Sequence, residues 1–218
     1  MNQKKQLKSL TIFNTETFQK EQLLSTLKNH LGFLLFLSGM AIYYGVRMFT
    51  LDPWYDELYT YYSFISKGPI YSAIHWPVPN NHVMFSVVSA FLNIFGNSYI
   101  SLRGISFLAS VINLLLLYIL CNKFMNRLLS LGCVAFYSGL YLVNSLSIQG
   151  RGYTMAITFY LIALLMLYEI CVNKKNHVIY YALFSLSLTW GLYTITSNIY
   201  WVLPTCFVGG FYLLFQKD

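Results

Sequence analysis

Charge is scarce in this sequence. Asp, Glu, Lys and Arg together make up only 10% of the 218 residues, whereas 57% are hydrophobic and 18% are aromatic. A soluble domain of this length carries roughly 25% charged residues. So few charges cannot cover a water-exposed surface, and we expect the chain to be solvated by lipid. Its long apolar runs predict an all-α, polytopic membrane helical bundle.

Signatures of metal, nucleotide and nucleic-acid binding are also missing. None of the four cysteines has CxxC or metal-type spacing, and there is no Gly-rich phosphate loop. The net charge of +7 comes mostly from lysines in short loops and in the first 28 residues. That distribution is typical of membrane topology signals and not of a basic stripe that binds nucleic acid. We therefore expect no cofactor and no nucleic-acid partner, and nothing supports a divalent metal.

Apolar runs divide the chain into a polar tail, residues 1–30, and a membrane domain, residues 31–218. The tail is too long before the first apolar run, and lacks the cleavage site, for a signal peptide. We expect it to be cytosolic. The predicted spans are residues 31–50, 101–121, 128–148, 152–171, 178–196 and 200–215.

The apolar run 82–95 is too short to be a clear span. If it lies on the membrane, ten of the 14 Lys and Arg residues are cytoplasmic and four are outside, whereas a spanning run divides them seven to seven. The positive-inside rule favours the first arrangement. We therefore predict about six transmembrane helices, cytoplasmic termini and an outer loop over residues 51–100.

Two amphipathic juxtamembrane helices are predicted in this loop, over residues 53–66 and 82–95. Asp52 can cap the first, with Pro53 as its first residue. On a helical wheel, Trp54, Leu58, Tyr61 and Ile65 share a face expected to lie on lipid, and Asp56, Thr60 and Ser63 share the opposite face.

Carboxylates are concentrated in the same loop. Asp52, Asp56 and Glu57 are three of the seven acids, and the next one along the chain is Glu169. Acids held at the rim of a membrane domain favour chemistry or transport. Asp56 can also be a solvated charge on a helix face. Glu57, rotated about 100° from Asp56 around the helix, can be a surface charge or a partner of Arg103.

Further polar residues converge on the outer side in the predicted topology. Arg103 and Arg151 can hold an anion or simply reach toward the membrane interface. Tyr153 can contact substrate or belong to the interfacial aromatic belt. Candidates in the turn before the second surface helix are His75, Asn81 and His82; the two histidines can bind zinc with nearby acids, but their spacing is no recognised metal signature.

These motifs, taken in order, resemble a known family. They are Trp-Tyr-Asp-Glu-Leu-Tyr-Thr at residues 54–60, an Asn-His turn before an apolar helix ending in Phe95-Gly96, Ser-Leu-Arg-Gly-Ile-Ser at 101–106, and Gln-Gly-Arg-Gly-Tyr at 149–153. Together they resemble the GT-C glycosyltransferases, in the branch of the protein O-mannosyltransferases and the lipid A aminoarabinose transferase. The resemblance covers residues 31–175. The chain departs from the family where Asn80-Asn81-His82-Val83 replaces a Pro-Pro-Leu-Tyr-type start of the second surface helix, and it looks like the N-terminal module of such enzymes.

This resemblance implies a transferase that uses a polyprenyl-phosphate-linked sugar. Asp56, with Glu57 in support, would be the catalytic base for an acceptor hydroxyl on a glycan, lipid or protein, and the sugar would be transferred with inversion. Arg103, Arg151 and Tyr153 would bind the donor phosphate. The implied location is a bacterial cytoplasmic membrane, with the active site facing outward.

The alternative is a non-catalytic membrane protein that binds lipid or assists assembly, or an inactive truncated relative. Transport is disfavoured because Glu169 is the only acid within the later spans, and it lies near a cytoplasmic end.

Overall fold

The structure is a computed structural model that describes residues 3–75, 81–173 and 178–215. The proline-bearing turn predicted before the second surface helix falls on residues 76–80, outside the described residues. The described helices are α1 (Gln3–Thr50), α2 (Tyr55–Ser63), α3 (Pro69–Ile74), α4 (Val83–Phe91), α5 (Ser98–Cys121), α6 (Arg127–Gly139), α7 (Tyr141–Leu146), α8 (Tyr153–Cys171), α9 (Val178–Thr194) and α10 (Ile199–Phe215). Short 3-10 turns cover Ile65–Lys67, Leu92–Phe95 and Thr196–Asn198.

The prediction of an all-α membrane bundle is confirmed, since the described residues contain helices and no strand. The chain divides into two compact units, Met1–Gly39 and Met40–Asp218. The first consists of the N-terminal part of α1. The second contains every helix from α2 onward and all of the candidate site residues.

Four of the described helical segments are long and apolar enough to cross a membrane: Lys28–Thr50, Ser98–Cys121, Tyr153–Cys171 and Thr196–Phe215. The prediction of one continuous helix over 128–148 was wrong. Helix α6 ends at Gly139, Leu140 adopts an extended backbone with φ −63° and ψ 130°, and α7 begins at Tyr141. Gly139 favours such an ending because glycine is a poor helix former. The predicted span 178–196 corresponds to α9, which has 17 residues.

The described part of the loop over residues 51–100 folds onto the bundle. Ile65, Phe85, Ala90 and Leu102 form a buried cluster that joins the turn after α2, helix α4 and helix α5. Two of the residues that we expected on lipid therefore pack against protein, since Ile65 is fully buried and Tyr61 contacts this cluster. Leu58 and Trp54 of the same predicted face are exposed.

Helix α2 also begins later than predicted. Trp54 occupies the N-cap position, and its backbone N–H donates to Glu57 Oε2 at 2.9 Å. The expected cap by Asp52 and a first helical residue at Pro53 were therefore wrong. Reaching back to the N-cap is a common role for an acid at the third helical position. The contact with the Trp54 N–H is one reason why the Glu57 side chain points into the protein.

Candidate active site

A polar stripe on α5 ties the segment before α8 to the bundle. Arg103, Ser106, Ser110 and Asn113 recur at intervals of three and four residues, so they share one face of the helix. Ser106 Oγ donates to the carbonyl of Gln149 at 2.5 Å, Ser110 Oγ to that of Ser147 at 2.8 Å, and Asn113 Nδ2 to that of Thr154 at 2.9 Å. The stripe therefore holds the Gln-Gly-Arg-Gly turn against α5. Our sequence reasoning missed it, although the spacing of polar residues in an apolar helix was a usable signal.

Arg103 is bound entirely within the protein. Its side chain is 1% exposed, and its Nε and Nη2 donate to the two carboxylate oxygens of Glu57 at 2.8 and 2.9 Å. The remaining N–H groups reach the backbone carbonyls of Met48, Leu51 and Asp52. A guanidinium has five N–H donors. All five are occupied, so a phosphate contact by Arg103 would require one of these bonds to break.

Glu57 is correspondingly buried and saturated. It is 0% exposed, and besides Arg103 and the Trp54 N–H it accepts a hydrogen bond from Gly150 N at 2.6 Å. Gly150 is required at this position because a Cβ there would lie 2.6 Å from a side-chain carbon of Leu102. The sequence left two interpretations of Glu57 open, a surface charge and a partner of Arg103. The structure shows that Glu57 is the partner of Arg103.

Arg151 lies beside this pair and is also buried. Its Nη1 donates to Thr60 Oγ1 at 3.1 Å, and the Thr60 hydroxyl donates to the carbonyl of Asp56 at 2.8 Å. Thr60 is fully buried, although the helical wheel placed it on the water-facing side of α2. That expectation was wrong because the buried face of α2 is polar, and its partners are the two arginines. Arg151 thus connects the turn before α8 to α2.

His82 completes the buried polar group. Its Nδ1 accepts from Gly152 N at 2.8 Å, and its Nε2 lies 3.4 Å from Arg151 Nη2. Burial and the neighbouring Arg151 charge lower the pKa of His82 to about 3. A neutral ring whose Nδ1 accepts must carry its proton on Nε2. The ring also packs edge-on against Tyr153, with 5.0 Å between centroids.

Asp56 differs from all of these residues in being exposed. It lies in the first turn of α2. Within the described ranges its carboxylate has no hydrogen-bond or ion-pair partner. The structure therefore separates the acid pair, as helical geometry predicted: Glu57 faces the arginines and Asp56 faces outward.

The two remaining candidates have different surroundings. Asn81 is buried, its amide nitrogen donates to the carbonyls of Ser72 and His75, and its amide oxygen accepts from Ser86. His75 is exposed, and its ring packs at a tilt against Tyr71, with 4.5 Å between the ring centroids. Among the described residues, no group of three or more His, Cys, Asp or Glu side chains is arranged to hold a metal.

The opposite end of α5 and α8 carries a second ion pair. Lys123 Nζ lies 2.7 Å from Glu169 Oε1, and Asn173 donates to the other oxygen of Glu169. Glu169 is therefore held at the end of the bundle away from Asp56, which argues further against a transport role.

Comparison with known proteins identifies the family of this chain. The sequence profile of the dolichyl-phosphate-mannose-protein mannosyltransferase family matches residues 82–218, more than half of the chain. The chain belongs to this family. No curated protein and no solved structure matches it.

Membership in the mannosyltransferase family confirms the GT-C resemblance and a glycosyltransferase of the mannosyltransferase type in an integral membrane protein. The matched range includes His82, Arg103, Arg151 and Tyr153. It excludes Asp56, Glu57, His75 and Asn81. The acid pair is thus connected to the mannosyltransferase segment by structure, through the contacts of Glu57 with Arg103 and Gly150.

The buried neutral His82 predicts acid sensitivity of the fold. The unfolded chain has an ordinary histidine pKa of 6.5, whereas the folded value is about 3. Between these values the unfolded state binds more protons, so the free energy of unfolding falls as the pH is lowered. From pH 7 to pH 5 this one group should cost about 2 kcal/mol. Denaturant unfolding in detergent micelles at both pH values measures the loss.

A variant that lacks only His82 isolates this effect. In His82→Asn the amide oxygen can replace Nδ1 as acceptor for Gly152, and the pH dependence should shrink by the same amount. His75→Gln removes the exposed histidine of the same loop and should retain the wild-type dependence. An unchanged slope in His82→Asn would refute the assignment.

Proposed function

We propose that this protein transfers a sugar, mannose by its family, from a polyprenyl-phosphate donor to an acceptor hydroxyl. Asp56 is the catalytic base, and the reaction inverts the anomeric configuration. The acceptor belongs to a glycan, a lipid or a protein. The observation that carries the proposal is the exposed Asp56 carboxylate, located directly beside a buried ion pair in a mannosyltransferase-family protein.

Asp56 is favoured as base over the two nearby acids. Glu57 is saturated by donors and inaccessible. Asp52 precedes α2, and its backbone carbonyl serves Arg103. Asp56 alone combines exposure with a place in the first turn of α2, one turn before Thr60, the hydroxyl partner of Arg151. A general base must be able to reach the proton that it removes.

The chemistry follows from this position. The Asp56 carboxylate takes the proton of the acceptor hydroxyl as the oxygen attacks the anomeric carbon. The bond from that carbon to the phosphate oxygen breaks on the opposite face. The lipid leaves as a polyprenyl phosphate, which carries the negative charge. No nucleotide is consumed in this step.

Arg103 and Arg151 support the site mainly by positioning. Arg103 holds Glu57, and thereby the start of α2, while Arg151 joins Thr60 to the turn before α8. The charges of Arg103 and Glu57 cancel. The buried group of Glu57, Arg103, Arg151 and His82 therefore has a net positive charge, which comes from Arg151. A fixed positive charge in a low-dielectric environment favours a developing phosphate anion even without direct contact. Tyr153, packed against His82, fixes the ring beside that charge.

The orientation of the site follows from charge. The end of the bundle that holds the Lys123–Glu169 pair also carries Arg127, and the sequence adds Lys174 and Lys175 in the next loop. Positive loops remain in the cytoplasm. The end that carries Asp56 therefore faces outward, which suits a donor already moved across the membrane.

A transfer assay tests the proposal directly. Purified protein is incubated with polyprenyl-phosphate mannose labelled in the sugar, in parallel with labelled nucleotide-linked mannose, and with membrane extracts as acceptor source. We expect the label to leave the polyprenyl donor only, and to be found in a product of inverted configuration. Transfer from the nucleotide donor or retention of configuration contradicts the mechanism, and the absence of any transfer favours the non-catalytic alternative.

A further inference from the structure

A polar cavity lies at the end of the bundle that carries Asp56. It has a volume of about 190 Å³ and opens between the end of α1, the start of α2 and helix α7. Its floor is the Glu57–Arg103 pair, and its walls include Arg47, Trp54, Asn144 and Gln149. Trp54 and Glu57 flank Asp56 in the sequence. The cavity therefore lies at the end of α2 that carries the proposed base.

Arg47 lines this cavity, and some of its N–H donors have no hydrogen-bond acceptor among the described residues. Its Nη1 donates to the backbone carbonyl of Asn144 at 2.7 Å and also to the Asn144 side-chain oxygen. Its Nε and Nη2 have no hydrogen-bond partner among residues 3–75, 81–173 and 178–215, and the guanidinium carbon lies 5.2 Å from the centroid of the Tyr43 ring. Three N–H groups therefore remain, and two of them, Nε–H and one N–H of Nη2, share one edge of the guanidinium. That edge is the one that binds a phosphate through two parallel hydrogen bonds.

The charges around the cavity favour an anion. Arg47 and Arg103 each contribute one positive charge and Glu57 one negative charge, so the lining is positive by one. The carboxylate of Glu57 is already satisfied by Arg103, Trp54 N–H and Gly150 N–H. The polar groups of Asn144, Ser145 and Gln149 are further hydrogen-bonding partners in the wall.

We propose that this cavity binds the phosphate of the lipid-linked donor, and that Arg47 is its principal cation. The proposal rests on the function proposed above, because the phosphate must lie close to the base that activates the acceptor. It reassigns the phosphate contact expected of Arg103, whose donors are all used. Arg47 is in the last turn of α1, next to the exposed apolar side chain of Leu51, so the lipid chain can continue into the bilayer.

An ordinary interpretation of Arg47 is structural, since it ties α1 to α7 through Asn144. Two variants separate the roles. Arg47→Gln removes the charge and the phosphate fork. Asn144→Ala removes the side-chain part of the tether and leaves in place the guanidinium and its bond to the backbone carbonyl at position 144. Lys67→Gln removes an exposed positive charge from the same outer loop and controls for net charge.

The test is binding of farnesyl phosphate, a short polyprenyl phosphate, to detergent-solubilised protein by titration calorimetry. We expect Arg47→Gln to weaken binding roughly 10- to 100-fold, the usual effect of losing a charge-assisted pair of hydrogen bonds. Arg47→Lys should recover only part of the affinity, because an ammonium lacks the fork. Lys67→Gln should bind like the wild type, and Asn144→Ala should lose less affinity than Arg47→Gln because the guanidinium remains.

Three comparison ligands identify the source of the phosphate. Farnesol, which lacks the phosphate, and vesicles of phosphatidylglycerol should show no dependence on Arg47, whereas inorganic phosphate should bind weakly with the same dependence. Equal binding by wild type and Arg47→Gln overturns the proposal, as does an equal loss in Lys67→Gln. If inorganic phosphate binds as tightly as farnesyl phosphate, the cavity is a free-phosphate site and the lipid-linked donor is excluded.

The binding experiment and the transfer assay can fail independently of each other. Arg47-dependent binding without sugar transfer refutes the transferase and leaves the phosphate site intact. Normal transfer with Arg47-independent binding refutes the site alone.

Discussion

Asp56→Asn should lower sugar transfer by roughly 100- to 10,000-fold, the range that a positioned general base contributes. The amide preserves the shape of the side chain and removes its ability to accept the proton. Because Asp56 is exposed and without a partner in the described part of the chain, stability should not change. Initial rates with labelled polyprenyl-phosphate mannose, measured with thermal unfolding of the same preparations, test both statements.

Asp52→Asn is the matched control for this prediction. It changes another exposed acid four residues earlier and leaves intact the backbone carbonyl that accepts from Arg103. We expect near-wild-type transfer. Full activity in Asp56→Asn, or an equal loss in Asp52→Asn, would remove Asp56 from the mechanism.

Arg103→Leu should be the most destabilising single change in the site. It leaves the Glu57 carboxylate buried without its cation and three backbone carbonyls without a donor. Breaking one side of a buried ion pair costs about 3–5 kcal/mol. We expect a loss of this size in the free energy of unfolding, measured by denaturant titration in detergent micelles. Transfer should fall too, because α2 and Asp56 are positioned through Glu57.

The ion pair at the other end of the bundle provides the comparison. Lys123 is 31% exposed, and Lys123→Met should cost less than about 1 kcal/mol, as is usual for solvent-exposed pairs. Adding Glu57→Gln to Arg103→Leu should restore part of the lost stability, because a neutral amide is cheaper to bury than an unpaired carboxylate. Equal effects of Arg103→Leu and Lys123→Met would contradict the role assigned to the buried pair.

Helix-forming segments were predictable because they depend on local pattern. The apolar runs 101–121 and 152–171 correspond closely to α5 and α8. The run 128–148 was misjudged, because hydropathy does not register a backbone break at Leu140 between two apolar helices. Helices α2 and α4 lie within the predicted ranges 53–66 and 82–95. The buried side of α2 was predicted wrongly, since the apolar side of a helix is expected to be the buried one.

The candidate site was predictable as a set of residues and not as a set of roles. Chain order and topology brought Glu57, Arg103, Arg151 and His82 to one end of the bundle. Arg47 was counted only as a charge on the outer side, although its position in the last turn of a span was visible. Its spare donors depend on Asn144, which lies 97 residues away in the chain, and no local pattern reveals that contact.

The sequence by itself determined that this is a helical membrane protein that resembles the GT-C glycosyltransferases, with three of its seven acids gathered just after the first long apolar run. Composition and periodicity suffice for the membrane helices, because lipid solvation and helical geometry act on neighbouring residues, and the order of the motifs carries the resemblance to the GT-C family. Only the tertiary structure decided which acid is buried and which arginine retains N–H groups without an acceptor in the described part of the chain, and our proposal for the phosphate depends on both. Those properties depend on partners dozens of residues apart, and desolvation makes the pairing of each buried charge matter far more than its position in the sequence.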